Sequence, residues 1–336
     1  MSIIFPRRHS RWTTLAAAAT AGLITITLGG FADAQTTPKE LTPVSLRLGF
    51  IAGAWDAGEY VARDLGYYKE AGLDVTITEG QGSNSNIQLL SSGQVDFAKV
   101  AAASLIPAAA NGAKLKMVAC HLQVQGAGVA TKPEIKTTKD MSGKTYVGVT
   151  FDFATQLFPA FVQATGITDV KVVNAAPETI PQVLVAGQTD LMVANAWAQV
   201  PILESLGVKF NYFRYADYGV DPLGIGIVTS DANLEKKPEV AKAFAAATMR
   251  GWQYVYDHPE EAAKIFNKAV PSVKLDLAVT TAKMMEALSH TSNSKGRRLG
   301  WMAEQDWVHT VNLLTKFGLL KSSVELNKLY VNLIAE

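Results

Sequence analysis

Gln88-Leu-Leu-Ser-Ser-Gly-Gln-Val-Asp96 and Gln182-Val-Leu-Val-Ala-Gly-Gln-Thr-Asp190 are two versions of one nine-residue pattern. In each version an amphipathic helix ends before a glycine, and the acidic residue that follows introduces a short apolar strand. The copies lie 94 positions apart, since 182 − 88 = 94. This repeat predicts two lobes of similar build with the ligand between them. Because each copy ends a helix and starts a strand, we expect it to locate the cleft without lining it.

Outward from the repeat, strand and helix patterns alternate along the chain, which predicts an α/β fold with two mostly parallel sheets flanked by helices. The predicted strands cover residues 44–50, 73–78, 95–100, 115–120 and 223–229 in the first lobe and 145–149, 170–173, 191–194 and 209–213 in the second. After residue 230 the pattern is almost all helical, a C-terminal extension on the first lobe. The expected lobes are residues 44–128 with 224–336, and residues 129–223.

Composition sets limits on function. The chain has 336 residues, of which 48% are hydrophobic and 18% charged, enough for two domains of ordinary size. The formal net charge of +1 suggests neither nucleic acid nor a charged membrane surface as a partner. We expect a monomer. The single cysteine, Cys120, ends an apolar run and is expected to be a buried structural thiol.

The N-terminus has the form of a cleaved secretion signal. Arg7, Arg8 and Arg11 precede an apolar stretch at residues 13–30, and Ala32-Asp-Ala34 supplies a small-residue cleavage pattern. A membrane anchor is the alternative, but the apolar run is short and interrupted by threonine and glycine. The sequence predicts a signal peptide at residues 1–34, a polar leader at 35–43 and a soluble periplasmic protein, exported by the Sec or the Tat route.

Candidate ligand-binding residues follow the predicted strands, because ligands of open α/β sheets bind beyond the carboxyl ends of the strands. Aromatic faces there can stack on a flat ring, while amides and carboxylates can bond ring nitrogens. Lys99 and His121 are the basic groups of these loops, with Arg214 close by. The predicted binding residues are Trp55, Asp56, Ser83, Asn84, Ala101, Gln123, Phe151, Asp152, Thr155, Asn195, Trp197 and Tyr218.

Structural roles compete with binding at several of these positions. Trp55 could pack in the core, Asp152 could be a helix N-cap, and Asn195 could form a turn. Ser83 or Asn84 could cap the helix that follows.

The sequence gives little sign of catalysis. It contains no Gly-x-Ser-x-Gly, no Walker loop and no His-Glu-x-x-His, and its five histidines show no metal-ligand spacing. We therefore expect no enzyme activity, no cofactor and no metal.

Three segments carry a family resemblance. Residues 60–75, residues 88–97 with Gly-Gln-x-Asp-Phe, and residues 252–262 with Asp-x-Pro-Glu-Glu-Ala resemble solute-binding proteins of the nitrate, sulfonate and taurine ABC-transporter class. Thiamine-pyrimidine-precursor binders belong to the same superfamily. The resemblance spans residues 44–317 and implies a two-lobed periplasmic-binding-protein fold that delivers a small molecule to a membrane permease with a cytoplasmic ATPase. It carries over, loosely, Trp55, Ser83-Asn84, residues 151–155 and Asn195-Ala-Trp197.

The ligand class is left open between alternatives. Asp152 at a helix start would repel an anion and attract an amino group or ring N–H, so the hypothesis is a small aromatic heterocycle, a thiamine-type pyrimidine or a flavin. An organic anion is the alternative: an alkanesulfonate, taurine, nitrate or an aromatic carboxylate. Fungal pyrimidine synthases share the fold implied by the resemblance, but they carry a cysteine-rich motif that this chain lacks. A sensor-input protein without an importer is a third class.

The predicted mechanism is lobe closure on the ligand. Hinge strands near residues 126–131 and 219–225 would absorb the dihedral change, with Gly126, Gly128, Gly219 and Gly224 placed to permit it.

Overall fold

The computed structural model describes residues 40–150 and 152–335. The predicted signal peptide, most of the predicted leader and Phe151 lie outside these described residues. The strands are β1 Thr42–Arg47, β2 Leu73–Thr78, β3 Phe97–Ala101, β4 Leu115–Val124, β5 Ala127–Thr131, β6 Thr145–Gly148, β7 Lys171–Asn174, β8 Leu191–Asn195, β9 Asn211–Arg214 and β10 Leu223–Ser230.

The helices flank two sheets. They are α1 Ala57–Asp64, α2 Tyr67–Glu70, α3 Ser83–Ser91, α4 Ala102–Ala110, α5 Phe153–Thr165, α6 Ile180–Val185, α7 Gln199–Ser205, α8 Asp231–Lys236, α9 Pro238–Asp257, α10 Pro259–Ala269, α11 Leu275–Ala287 and α12 Glu304–Lys316. In the described residues no helix is both long and apolar enough to cross a membrane.

Each sheet has five strands and contains one strand that runs against the others. The first sheet has the order β2-β1-β3-β10-β4, and β10 is antiparallel to both its neighbours. The second has the order β7-β6-β8-β5-β9, and β5 is the antiparallel strand. The return of the chain to the first sheet as β10 agrees with the predicted returning strand. The sheets are therefore mixed, and the predicted two-lobed α/β fold is confirmed, while the lobe boundaries stay a prediction.

The C-terminal helices pack on the first lobe. α9 and α10 contact α1, and α12 contacts α4 and β10. Beyond α12, Tyr330 forms a bridge with Met117 on the outer side of β4. The predicted C-terminal extension is thus a cover for the first sheet.

Both copies of the repeat serve the scaffold in the same way. Gly93 and Gly187 each have a φ of 70°, and each ends its helix in the left-handed region. After them, Asp96 accepts a hydrogen bond from the Ser45 amide within β1, and Asp190 accepts one from the Thr145 amide at the start of β6. The copies thus fix equivalent strands at the amino edges of the two sheets.

Some local predictions differ from the structure. The spacing of Val61, Leu65 and Tyr68 predicts one helix that ends at Gly72, but the structure breaks it at Gly66 into α1 and α2. Neither Ser83 nor Asn84 caps α3, because the N-cap is Gly82 and it makes no side-chain cap hydrogen bond. The hydroxyl of Ser83 instead accepts a hydrogen bond from the amide of Ala101. β4 continues four residues beyond Cys120, to Val124.

The four predicted hinge glycines fall into two groups. Gly126 and Gly219 have positive φ values. Each lies between two strands, at one of the two crossings between the lobes. Gly128 and Gly224 lie inside β5 and β10, where a Cβ would overlap a neighbouring carbonyl oxygen. The second pair therefore allows close strand packing and does not sit at a turn.

Helices α1 and α9 cross at close range. A Cβ added to Gly251 on α9 would overlap the carbonyl oxygen of Gly58 on α1, and a Cβ on Gly58 would overlap the Trp252 ring. This close approach brings Trp252 against Glu59, where the indole nitrogen donates to the carboxylate at 3.1 Å.

We predict that Gly251→Ala lowers the free energy of unfolding by about 1–3 kcal/mol through overpacking. Helix propensity alone predicts the opposite sign, a gain of up to about 1 kcal/mol. Urea unfolding measures the difference, with Ala246→Gly at an exposed position of α9 as the control for propensity. A stabilised Gly251→Ala variant would contradict the close crossing.

Candidate functional site

A cavity of about 310 Å³ lies between the two lobes, beyond the carboxyl ends of the parallel strands. Residues that follow β1 and β2, together with Lys99 of β3 and His121 of β4, line one side. Residues at the end of β8 and in the segments after β6, β7 and β8 line the other. This is where open α/β sheets bind ligands. Six predicted residues line it: Trp55, Asp56, Ser83, Asp152, Asn195 and Trp197.

Five predicted residues lie elsewhere, each for a physical reason. Asn84 is exposed on α3, and Ala101 is buried, with its amide bonded to Ser83. Thr155 turns its hydroxyl back to the Val149 amide, at 3.1 Å. These three predictions placed the residues correctly near strand ends but did not capture the direction of their side chains.

Gln123 and Tyr218 are also outside the cavity. The amide of Gln123 is buried and donates to the carbonyl of Trp301 at 2.7 Å. The ring of Tyr218 packs edge-on against Phe161, with a centroid distance of 5.3 Å. Both therefore make structural contacts outside the cavity.

Aromatic rings form the side walls. The Trp55 ring of the first lobe meets the Trp197 ring of the second edge-on, with centroids 5.7 Å apart. Phe153 lies 6.4 Å from Trp197 on the same wall. The Trp197 indole nitrogen donates to the carbonyl of Gln125 at 3.0 Å, which fixes the ring relative to the first crossing between the lobes. The walls can therefore hold a flat ring by stacking and edge contacts.

A buried ion cluster forms the floor on the first-lobe side. The ammonium of Lys99 lies 2.8 Å from an Asp56 oxygen and 3.3 Å from a Glu59 oxygen, and it also donates to the Trp55 carbonyl at 2.8 Å. Lys99 is 3% exposed, and both carboxylates are fully buried. Two carboxylates therefore neutralise this cation before any ligand arrives.

The pKa values in the cluster follow from burial and pairing. Burial raises the pKa of Glu59 to about 7 despite the nearby ammonium, and it also raises the pKa of Asp56. The pKa of Lys99 is raised as well, because the two carboxylates outweigh its desolvation. The neighbouring His121 ring stacks on Trp252 at 4.9 Å, and burial together with the Lys99 charge holds its pKa well below the usual value. His121 is therefore neutral.

The second lobe offers a carboxylate at the start of α5. Asp152 caps this helix, since its Oδ1 accepts from the amides of Ala154 at 2.8 Å and Thr155 at 3.2 Å. Its other oxygen, Oδ2, lies 3.4 Å from the Asn195 side-chain nitrogen. Burial raises the pKa of Asp152 to about 6. Asp152 thus has both roles that the sequence offered for it: it caps α5, and it lines the cavity.

Several lining residues were not among the predicted binding residues. Gln182 lines the cavity, so the expectation that the repeat does not line the cleft is wrong at its first residue. Phe153, Pro181 and Ile202 contribute from α5, α6 and α7, and Met285 contributes from α11 of the first lobe. Helical periodicity marks such residues as buried and does not distinguish a cavity wall from the core. In the described residues, no cluster of three histidine, cysteine or acidic side chains could hold a metal ion.

Comparison with known proteins places the chain. It belongs to the NMT1/THI5-like family, whose profile matches residues 56–262. The riboflavin-binding protein RibY of Chloroflexus aurantiacus is 25% identical over 331 residues, covering 95% of this chain and 91% of that protein. The formylaminopyrimidine-binding protein of Halalkalibacterium halodurans is 24% identical over 296 residues, with coverages of 85% and 88%.

Similarity also extends to an enzyme and to solved structures. A 4-amino-5-hydroxymethyl-2-methylpyrimidine phosphate synthase of Legionella pneumophila is 25% identical over 247 residues, covering 70% of this chain and 76% of that protein. The alkanesulfonate-binding protein SsuA of Xanthomonas axonopodis pv. citri has a TM-score of 0.66 at 14% identity, covering 87% and 99%. The predicted family and the two-lobed fold are confirmed.

We predict that Lys99→Met lowers the free energy of unfolding by about 3–5 kcal/mol, because it leaves two buried carboxylates without a cation. Their folded pKa values would rise further above the unfolded values, so stability is retained at low pH and lost as pH rises. Urea unfolding at pH 5 and pH 8 measures this, and we expect the larger loss at pH 8.

The matched control for this variant is Lys116→Met. Lys116 lies 3.9 Å from Asp231 in a partly exposed pair, so its replacement is expected to change stability by about 0–1 kcal/mol. An equal loss at both pH values in Lys99→Met would count against the charge-pairing role of Lys99.

Proposed function

We propose that the protein is the periplasmic solute-binding component of an ABC importer and that it closes on a small, flat nitrogen heterocycle of the pyrimidine type. One observation carries the ligand class. The cavity has aromatic walls, and its one carboxylate without an ammonium partner among the described lining residues is Asp152. Aromatic faces and a hydrogen-bond-accepting carboxylate suit a ring that carries amino or N–H groups.

The charges of the lining disfavour an organic anion. Among the described lining residues the basic side chains are Lys99 and His121. Lys99 is paired with two carboxylates, and His121 is neutral. The N-terminus of α5, which could otherwise hold an anion, is occupied by the Asp152 carboxylate. A sulfonate would therefore enter without a free cation to neutralise it.

The size of the cavity favours one ring over three. Ligand pockets for drug-sized molecules usually span about 300–1,000 Å³, and 310 Å³ lies at the lower end. Two relatives are named for heterocyclic ligands of different size, riboflavin for one and formylaminopyrimidine for the other. We infer that a pyrimidine fits this cavity better than the larger flavin.

Export and partner follow from the same proposal. The secretion signal expected at residues 1–34 would deliver the chain to the periplasm, where a permease with a cytoplasmic ATPase would receive the ligand. In this proposal the protein acts as a monomer that binds and releases its ligand without turnover.

Pyrimidine synthases among the relatives make an enzyme the second candidate. Turnover of any bound compound by the purified protein would overturn the binding-only proposal.

The direct experiment is native mass spectrometry of the purified protein, followed by calorimetric titration with 4-amino-5-hydroxymethyl-2-methylpyrimidine, riboflavin and an alkanesulfonate. We expect a pyrimidine-sized bound mass and the tightest binding for the pyrimidine. A bound sulfonate would overturn the ligand class.

We predict that Trp55→Ala weakens pyrimidine binding by about tenfold or more, because the ligand loses one aromatic wall worth about 0.5–1.5 kcal/mol beyond its buried area. Titration calorimetry measures the affinity. Tyr218→Ala is the control, since it removes an aromatic ring that lies outside the cavity, and its affinity should equal that of the wild type. Equal affinities for all three proteins would remove Trp55 from the site.

We predict that pyrimidine binding weakens as pH falls below about 6. The pKa of Asp152 is raised to about 6, so its carboxylate accepts ligand N–H groups above this pH and loses that capacity below it, by up to about tenfold per pH unit. Asp152→Asn should bind weakly with a flat profile between pH 5 and 8, while asparagine still caps α5. A wild-type profile that is flat over this range would exclude Asp152 as the acceptor.

A further inference from the structure

Gln125 lies where the chain first crosses between the lobes, between the end of β4 and the start of β5. Its side-chain oxygen faces the second crossing, because a Cβ placed on Gly224 of β10 would be 3.2 Å from it. The side chain therefore lies between the two segments about which the lobes would rotate.

The backbone of this crossing is bonded to the second lobe. The carbonyl of Gln125 accepts the indole N–H of Trp197, which lines the cavity. The next carbonyl, that of Gly126, accepts the hydroxyl of Tyr212 at 2.7 Å and the amide of Ala196 at 2.8 Å. A movement of the Trp197 wall is thus transmitted to the crossing through direct hydrogen bonds.

The side-chain amide of Gln125 makes no such bonds. Both Oε1 and Nε2 are buried, and neither has a hydrogen-bond partner in residues 40–150 and 152–335. Gln123, two positions earlier, is equally buried, but its amide donates to the Trp301 carbonyl and accepts from the Ser294 hydroxyl at 2.7 Å. A buried amide without partners is unfavourable, because it has given up water without replacement.

Trp55 and Trp197 touch across the cleft, so this penalty belongs to the arrangement in which the lobes are together. Rotation of the lobes apart would separate Gln125 from the second crossing and let water reach its amide. The same penalty would be absent in that open arrangement, and a conformational equilibrium shifts toward the state without it.

We propose that Gln125 is a positioning residue of the hinge whose unpaired amide biases the unliganded protein toward the open arrangement, so that closure requires ligand. The role in ligand capture rests on the proposed solute-binding function, whereas the bias itself is a property of the empty protein. The consequence of this bias is that the closed form becomes populated only when ligand binding offsets the penalty at Gln125.

The test compares Gln125→Met with Gln123→Met. Methionine keeps the length of the side chain and removes both polar atoms, so Gln125→Met relieves the penalty whereas Gln123→Met breaks satisfied bonds. In small-angle X-ray scattering without ligand, Gln125→Met should have a smaller radius of gyration than the wild type. Its melting temperature should be equal or higher, while that of Gln123→Met should be lower.

Ligand affinity gives a second readout. With 4-amino-5-hydroxymethyl-2-methylpyrimidine as the probe, Gln125→Met should bind up to about tenfold more tightly, which corresponds to about 1.4 kcal/mol. A radius of gyration equal to the wild type, or a melting temperature lowered as in Gln123→Met, would overturn the hinge proposal. Failure of the probe to bind the wild type would instead count against the ligand class, since the scattering comparison needs no ligand.

Discussion

The ammonium group of Lys99, held between the Asp56 and Glu59 carboxylates, is the interaction on which the binding cavity depends. It joins β3 to the start of α1, and through the bond from Trp252 to Glu59 it also joins α9. Removing either sign of charge would leave the other buried and unpaired, which is why the cluster constrains its surroundings so strongly. The cluster also determines the electrostatics of the ligand site, because a cation already paired twice has little left to offer an anion.

The opposite wall is linked to the movement of the lobes. Trp197 lines the cavity with its ring and donates its N–H to the hinge carbonyl of Gln125. One residue therefore contacts both the cavity and the segment whose dihedral angles would change during the proposed closure. The first-lobe floor instead holds the Lys99 ammonium between two carboxylates.

The sequence predicted the frame of this site better than its details. The repeat at Gln88 and Gln182 located both sheets, and the rule that ligands bind at strand ends found Trp55 and Trp197. The strand-end rule could not tell that Asp152 lines the cavity while the Thr155 hydroxyl turns back to the backbone. Position after a strand does not fix the direction of a side chain. Met285 could not be predicted at all, since α11 reaches the cleft only through tertiary packing.

The fold alone does not decide the ligand, because SsuA shares it at a TM-score of 0.66. The proposed ligand class rests on the charges that line the cavity. In this chain the two basic lining residues are neutralised, Lys99 by pairing and His121 by burial. Asp152 then occupies the helix start that an anion would use. These features act in the same direction from both lobes, and they support the proposed ligand, a flat ring that brings N–H donors, over an anionic head group.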